Sequence, residues 1–417
     1  MKPSIQKLAT VVSIILLVGF FVFGAVTAEA VEIVFLVSPT PTVEKLIDMI
    51  PQFEKATGIK VIAEAISYDS MMEKETLDLR TKQGSYDVFW VEATYLERYS
   101  LLGGLADISA LAQKAGADLS DFPEGLREAY SFDGNLNVLL FESNPMVMVY
   151  RKDLLEANNL SVPTTWEEYA DVVKALHNPP DVYGTSIMGA RHEALFYEYL
   201  NFLWGFGGQL FDENMNPTIN SPEAVEALEF LKSLVEFAPP GTLSYTWTES
   251  ATAFQQGNVG VEVIFPDWTA ALRDPDESRV VDTWAYAPIP GTNPTAIGGY
   301  GWAVNAYSKN QDAAFQFAYW ATSEEVQREI VKYGATLSRK SVMEDAELNK
   351  EYSYLQALAK AAPRAQPPMK IEPYFELMDS LSQYLSEGLS DAGSAQEALD
   401  AAQAEWVKIM KKSGYIQ

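Results

Sequence analysis

Apolar and amphipathic stretches alternate along the chain from residue 31 onward. Residues 31–37 are apolar at nearly every position, which is typical of a buried strand, and a proline-rich turn follows. Residues 60–66 and 87–91 repeat the strand pattern, and the stretch between them predicts a helix over 70–82. Strands and helices that alternate at these lengths predict an α/β fold with a mostly parallel sheet.

Capping residues and apolar stripes at helical spacing mark several helices. Thr42 is a candidate N-cap of the first helix. Thr165 and Glu168 have the spacing of a capping box, and Ser221 is followed by Pro222, which suits the first helical position. The last helix carries an apolar stripe that we expect to face a core: Ala395, Ala398, Leu399, Ala402, Trp406 and Ile409.

Length and composition limit the possible classes of protein. The 417 residues suffice for two or three domains, and 48% hydrophobic with 12% aromatic residues is typical of a folded protein. A formal net charge of −27 argues against nucleic acid and anionic membrane surfaces as partners. The absence of cysteine excludes disulfides, thiolate metal sites and thiol catalysis. Because there are also only two histidines, we predict no metal site, no cofactor and no catalytic residue.

Residues 1–30 have the pattern of a signal peptide. Lys2 and Lys7 form a basic start, residues 11–23 are mostly apolar, and Ala28-Glu29-Ala30 is an A-x-A cleavage site. The apolar run also approaches the ~17–25 residues of a membrane helix, so an uncleaved anchor stays open as the alternative. In both cases the remaining chain works outside the cytoplasmic membrane, in the periplasm or at the extracellular face.

A glycine-rich segment, residues 298–302, interleaves three glycines with Tyr300 and Trp302. Glycines leave the backbone bare, so that another molecule can approach closely, and aromatic faces suit a flat ligand such as a sugar ring. The alternative is a glycine-rich turn before a strand.

Short sequence blocks occur in a fixed order along most of the chain. The block at residues 207–212 (Gly-Gly-Gln-Leu-Phe-Asp) together with residues 219–228 is the most specific. The other blocks are residues 53–61, 86–88, 102–108, 149–155, 162–169, 254–260, 308–310 and 335–339. In this order and spacing the chain resembles the family 1 extracellular solute-binding proteins of ABC transporters, and among them the maltose- and trehalose-binding type.

The resemblance implies a two-lobed α/β fold of the periplasmic-binding-protein type (type II-like). Each lobe is discontinuous in sequence, and hinge segments join the lobes around a ligand cleft. The implied segments are lobe 1 at 31–142 plus 303–338, lobe 2 at 146–297 plus 345–417, and crossings near 143–145, 298–302 and 338–344.

The resemblance also implies the function. The chain would be the substrate-binding component of an ABC importer, not an enzyme. We expect it to capture a carbohydrate (a mono- or oligosaccharide, or a polyol) as a monomer and to deliver it to the membrane permease. The sequence does not identify which sugar is bound.

Five tryptophans lie near glycine, proline or a strand end, outside helical core stripes: Trp90, Trp204, Trp247, Trp268 and Trp302. Indole faces stack on the C–H faces of sugars, while hydroxyl groups need charged or amide partners. The candidate partners are Glu92, Asn144, Asp267 and Arg339. By the resemblance, Phe265-Pro266-Asp267-Trp268 matches the family's aromatic platform and Gly299-Tyr300 its glycine–aromatic position. Asn144 stands where some members carry aspartate.

Two functions of other classes remain as alternatives. A secreted glycoside hydrolase needs two carboxylates about 5–10 Å apart across a cleft, and Glu92 and Asp267 are the candidates. No glycosidase motif accompanies them. A surface-anchored adhesin would require an uncleaved N-terminal helix and no affinity for small molecules.

Overall fold

Two β-sheets, each with its own hydrophobic core, form the framework of the chain. A computed structural model describes residues 31–367, 369–390 and 393–417. The predicted signal peptide, residues 1–30, lies outside the described residues. The strands are β1 (Glu32–Val37), β2 (Lys60–Ala65), β3 (Val88–Glu92), β4 (Ser131–Phe132), β5 (Asn135–Leu136), β6 (Val138–Pro145), β7 (Val147–Arg151), β8 (Tyr183–Thr185), β9 (Val259–Ile264), β10 (Trp284–Pro288), β11 (Thr295–Val304) and β12 (Ala365–Gln366).

The helices surround these sheets. They are α1 (Pro41–Thr57), α2 (Tyr68–Thr81), α3 (Ala93–Leu101), α4 (Ile108–Ala115), α5 (Glu124–Ala129), α6 (Lys152–Ala157), α7 (Trp166–Leu176), α8 (Glu193–Gly205), α9 (Pro222–Leu234), α10 (Trp247–Gln255), α11 (Gln311–Ala321), α12 (Glu324–Ile330), α13 (Lys340–Met343), α14 (Leu348–Glu351), α15 (Tyr354–Ala361), α16 (Tyr374–Leu389) and α17 (Ala395–Lys412). Short 3₁₀ helices occur as well, including Pro266–Arg273. Within the described residues, no helix combines the length and the apolar character needed to cross a membrane.

Local sequence explains where the helices begin. Helix α1 begins at Pro41 and is capped by Thr40, whose hydroxyl accepts from the Val43 amide, so the prediction of Thr42 as the cap was wrong. Proline at the first helical position loses no hydrogen bond and favours this earlier start. Ser221 caps α9 as predicted. The predicted apolar stripe of α17 is buried.

The first sheet has the strand order β12-β11-β3-β1-β2, and β6 pairs with β11. Strand β1 is parallel to β2 and β3, whereas β11 is antiparallel to β3 and β6. The second sheet has the order β10-β7-β9-β8, in which only β8 and β9 run parallel. The predicted parallel arrangement therefore holds for β1, β2 and β3. It fails for β11, which runs antiparallel to β3 and β6, and for β7, which runs antiparallel to β9 and β10.

The chain passes between the two cores at three places in the described residues. Met146 belongs to the second core and its neighbour Val147 to the first. Ala296 and Ile297 are divided between the cores in the same way, and the third change falls between Ala365 and Met369. Helix α15 contributes to the first core and also packs against β7 and β10 of the second sheet. The predicted crossing near residues 338–344 stays a prediction.

Candidate functional site

A cavity of about 360 Å³ lies where the two sheets approach each other. Strands β3, β6 and β11 contribute from the first sheet, and the 3₁₀ helix Pro266–Arg273 with the starts of α8 and α10 contributes from the other side. The cavity is lined by Thr40, Trp90, Glu92, Glu142, Asn144, Glu193, Tyr197, Trp247, Phe265, Asp267, Trp268, Gly298, Gly299, Tyr300 and Thr336. Eight of these were predicted from the sequence: Trp90, Glu92, Asn144, Trp247, Asp267, Trp268, Gly299 and Tyr300.

The first aromatic wall of the cavity is formed by Trp90 and Tyr300. Strands β3 and β11 pair with Tyr300 opposite Glu92, which brings the Tyr300 ring next to Trp90. The two rings are nearly parallel, at 11°. Trp90 Nε1 donates to Glu92 Oε1 at 3.2 Å, and the Tyr300 hydroxyl donates to Glu142 Oε1 at 2.9 Å. Both rings are held on several sides, so this wall is rigid.

The second aromatic wall is formed by Trp247 and Trp268. Trp247 opens α10 behind a capping box in which the Thr246 amide and hydroxyl donate to Glu249. The rings of Trp247 and Trp268 are nearly parallel, at 14°, with their centroids 6.2 Å apart. Trp247 is 5% exposed, whereas Trp268 is 41% exposed. Trp268 therefore offers a free aromatic face to the cavity.

Four carboxylates line the cavity: Glu92, Glu142, Glu193 and Asp267. Burial raises the pKa of Glu92, and its hydrogen bonds from Tyr68 and Trp90 oppose part of this rise. Burial also raises the pKa of Glu142. Asp267 is accessible from the cavity, yet the surrounding protein raises its pKa, with the neighbouring Asn144 amide opposing the rise. Among the described residues no lysine, arginine or histidine lines the cavity.

Two polar atoms at the cavity have no hydrogen-bond partner within the described part of the protein. They are Asn144 Oδ1 and Thr336 Oγ1, and both are buried. Buried polar atoms are almost always hydrogen-bonded, to protein, water or ligand. These two atoms therefore need a partner that enters the cavity.

Comparison with known proteins identifies the family of the chain. Residues 38–328 match the model of the bacterial extracellular solute-binding proteins. The chain belongs to this family. The resemblance drawn from the sequence blocks is therefore confirmed, and with it the role of substrate-binding component in ABC import. Members of the family are solute-binding proteins, not enzymes, and work in the periplasm or outside the cell.

Individual relatives in the family match most of the chain. A mannitol-binding protein of Pseudomonas aeruginosa is 27% identical over 83% of this chain and 85% of its own length. A probable amino-acid ABC transporter periplasmic-binding protein of Sinorhizobium fredii is 25% identical over 88% of this chain and 86% of its own. The crystal structure of an ABC transporter solute-binding protein from Agrobacterium radiobacter, in complex with ribitol, is 28% identical with a TM-score of 0.73. It covers 91% of this chain and 98% of that one. The two-lobed fold expected for a solute-binding protein is confirmed.

Three residues predicted for the solute site do not line this cavity. Trp204 lies on α8, 2% exposed, in the second core. Trp302 is fully buried on β11 with its ring edge-on to Phe35 at 4.9 Å. Arg339 pairs with Asp121 at 3.3 Å and donates through Nε to a backbone carbonyl. Each of the three is engaged inside the protein, and sequence position alone did not show this.

Two of the three glycines in the segment 298–302 allow β11 to pack closely against β6. They do not leave the backbone open to a ligand in the way the sequence suggested. Gly299 has φ of 90°, and a Cβ there would overlap the carbonyl oxygen of Glu142 on β6. A Cβ at Gly301 would overlap the carbonyl oxygen of Leu139 in the same way. At Gly298, which lines the cavity, a Cβ would lie 3.5 Å from the Phe265 ring, an ordinary contact distance. The alternative of a turn before a strand was wrong, because the segment lies inside β11. Gly298, Gly299 and Tyr300 line the cavity, and contact of this segment with a ligand stays a prediction.

Seven lining residues were not predicted: Thr40, Glu142, Glu193, Tyr197, Phe265, Gly298 and Thr336. The sequence positions of two of them could have indicated a place at the cavity. Thr40 follows the carboxyl end of β1, where α/β sheets place their ligands. Glu142 lies two residues before Asn144 on β6, and side chains with that spacing share one face of a strand. Gly298 and Phe265 were not singled out, although they belong to the predicted glycine-rich segment and aromatic platform. Glu193, Tyr197 and Thr336 come together only through the tertiary fold.

Proposed function

We propose that this protein captures a carbohydrate or polyol in the cavity of about 360 Å³ between its lobes, the solute cavity, and delivers it to a membrane permease. The observation that carries the proposal is the cavity lining. It joins aromatic side chains, of which Trp268 is exposed, to four carboxylates, and none of the described lining residues is basic. The proposed binding residues are Trp90, Glu92, Glu142, Asn144, Trp247, Asp267, Trp268, Gly299, Tyr300 and Thr336.

The lining suits a neutral ligand with many hydroxyl groups. Carboxylates are strong acceptors for O–H donors, and indole faces pack on apolar C–H surfaces. The relatives named for mannitol and the structure with ribitol bind ligands of this kind. An amino acid would bring a carboxylate, which the four acidic groups would repel and for which none of the described lining residues offers a cationic side chain. The relative named for amino acids therefore does not guide the proposal.

The lobes and their hinges belong to the same proposal. We keep the first two crossings near residues 143–145 and 298–302, because the neighbouring pairs Met146–Val147 and Ala296–Ile297 close to them divide between the two cores. We place the third crossing at residues 365–369, because α15 shares the first core. A ligand that touches Trp90 on one side and Trp268 on the other favours a closed arrangement of the lobes, since only closure satisfies both contacts.

The remaining parts of the proposal concern export and assembly. Residues 1–30 direct export, with cleavage before Glu29 or Val31, and the protein acts as a monomer. Intact-mass measurement of the exported protein tests the cleavage site, because a retained Met1 would support the anchor.

Isothermal titration calorimetry at neutral pH tests the ligand class. Mannitol, ribitol and maltose represent the proposed class, glutamate represents amino acids, and spermidine represents organic cations that carboxylates and aromatic rings also attract. We expect binding of at least one sugar or polyol and none of glutamate or spermidine. Saturable binding of glutamate or spermidine alone would overturn the proposal.

Incubation with oligosaccharides separates this proposal from glycoside hydrolysis. We expect the oligosaccharides to remain intact in the presence of the protein. Cleavage that disappears in both Glu92→Gln and Asp267→Asn would instead support an enzyme with these two carboxylates.

A further inference from the structure

A second and larger cavity, of about 570 Å³, lies where the third crossing meets both cores. None of its lining residues lines the solute cavity. Ala129 and Ala365 belong to the first core, whereas Met369 and Ile371 belong to the second. We call it the crossing cavity. Its walls also include Phe211 and Met215 from the loop before α9, and Pro294, Pro363 and Pro367.

Two cations line the crossing cavity, Arg364 and Lys370. Arg364 donates through Nη1 to the carbonyl oxygen of Gly291 at 2.6 Å, and Lys370 donates through Nζ to the carbonyl oxygens of Glu128 at 2.8 Å and Ser131 at 2.9 Å. Within the described residues neither cation has a carboxylate within ion-pair distance, although Glu128 lines the same cavity. Backbone carbonyls satisfy their N–H groups but do not neutralise their charges.

Such a pair is unexpected in this protein. The chain has 57 acidic residues against 30 basic ones, so a carboxylate partner is rarely scarce. Both cations are half-buried, and partly buried charges are usually paired. Burial lowers the pKa of Arg364 and of Lys370, and the charge of Glu128 opposes part of the decrease at Lys370.

We propose that the crossing cavity is a second binding site, which takes an organic anion with an apolar body. The acidic group would lie between Arg364 and Lys370 and supply a counter-charge at ion-pair distance, which Glu128 does not. The apolar body would lie on Phe211, Met215 and Ile371, which are side chains without polar groups. The acidic solute cavity repels the same ligand, so the two sites select opposite chemistries.

Benzoate, with its neutral isostere benzamide, is a suitable probe pair, and ligand-observed NMR titration of the full chain at physiological ionic strength measures both. We expect benzoate to bind in the millimolar range and benzamide about tenfold more weakly or not at all, because only benzoate carries a charge. Lys370→Met keeps the apolar stem and removes the charge, and it should weaken benzoate binding about tenfold. Lys370→Arg should restore binding to within about threefold of the parent.

The location of the probe is tested by a variant in the other cavity. Trp268→Ala should leave benzoate affinity within about twofold of the parent, because Trp268 does not line the crossing cavity. Thermal unfolding checks that Lys370→Met is folded. If this variant does not fold, the comparison of benzoate with benzamide on the parent protein still tests the proposal. Equal binding of the two probes, no binding of benzoate, or loss of benzoate binding in Trp268→Ala would overturn the proposal.

Discussion

At the scale of single residues, the aromatic side chains of the solute cavity differ in their roles. Some are buried and stabilise the fold, whereas one is exposed and can bind a ligand. Tyr300 is 9% exposed and donates to Glu142, so its ring is part of the first core. Trp268 is 41% exposed and presents its face to the cavity. Substitution of an aromatic residue would therefore reduce stability on the first wall and ligand affinity at Trp268 on the second.

Trp268→Ala should weaken ligand binding by ~1–3 kcal/mol with little change in melting temperature, because the substitution removes a stacking face and leaves no buried gap. Calorimetry with the best ligand of the screen, together with thermal unfolding, measures both quantities. Tyr333→Ala is the matched control, since Tyr333 is 50% exposed and does not line the cavity. An equal loss of affinity in both variants would contradict a specific role for Trp268.

Ligand affinity should fall as the pH is lowered from about 7.5 to about 5. The surrounding protein desolvates Glu92 and Asp267 and raises the pKa of both above its ordinary value, so these groups take up protons at higher pH than fully solvated carboxyls do. A protonated carboxyl is a weaker acceptor for a ligand hydroxyl than a carboxylate. Glu92→Gln should bind more weakly at pH 7.5 and show a smaller pH dependence. Affinity that stays constant over this range in the parent would argue against carboxylate acceptors.

At the scale of helices and strands, the second core contains two buried carboxyls that take no part in the solute cavity. Glu198 on α8 accepts from the Met188 amide at 2.8 Å, and Glu262 on β9 accepts from the Ser250 hydroxyl at 2.6 Å. Burial raises the pKa of Glu198 to about 8 and that of Glu262 to about 7. The folded protein therefore binds more protons than the unfolded chain between about pH 4.5 and those values.

The contribution of Glu262 to the free energy of unfolding should fall as the pH rises from about 4.5 to about 7, because stability decreases wherever the folded state holds the additional proton. Glu262→Gln keeps an acceptor for Ser250 and has no charge to bury. Relative to the parent, it should gain ~1–3 kcal/mol between pH 4.5 and pH 8 in urea unfolding. Glu226→Gln on the exposed face of α9 controls for the loss of a negative charge. A constant difference between Glu262→Gln and the parent would contradict the assignment.

The close packing of β11 on β6 should make Gly299 intolerant of a side chain. Gly299 and Gly207 have similar φ angles, 90° and 87°, but a Cβ at Gly207 would meet no atom within 4 Å. Gly207→Ala should cost roughly 1–2 kcal/mol from its positive φ alone. Gly299→Ala should cost more, because its Cβ also overlaps Glu142. Equal costs in urea unfolding would show that β6 moves away easily.

The sequence predicted elements better than it predicted their tertiary environment. Periodicity and capping located the first three strands and the core face of α17, because these depend on neighbours in the chain. The sequence did not distinguish the exposed Trp268 from the buried Trp204 and Trp302, because burial depends on which helices and strands pack against a residue. Arg339 failed as a cavity residue for the same reason, since Asp121 is distant in sequence.

At the scale of the whole molecule, the proposed closure of the lobes depends on two hydrophobic cores that three chain crossings join. The cavity takes Trp90 and Glu92 from one side and Trp247, Asp267 and Trp268 from the other, so ligand contacts are divided between the lobes. A ligand shifts such an equilibrium by its difference in affinity for the open and closed forms.

Small-angle scattering should therefore give a smaller radius of gyration with saturating ligand than without it, because the closed form alone satisfies contacts on both lobes. Saturation is confirmed by calorimetry under the same conditions. At a ligand concentration that again saturates the site, the radius of gyration of Trp268→Ala should decrease less, since one contact that stabilises the closed form is absent. If the radius of the parent is unchanged at saturation, the ligand binds a rigid pocket, and the hinge between the two cores does not act in solute capture.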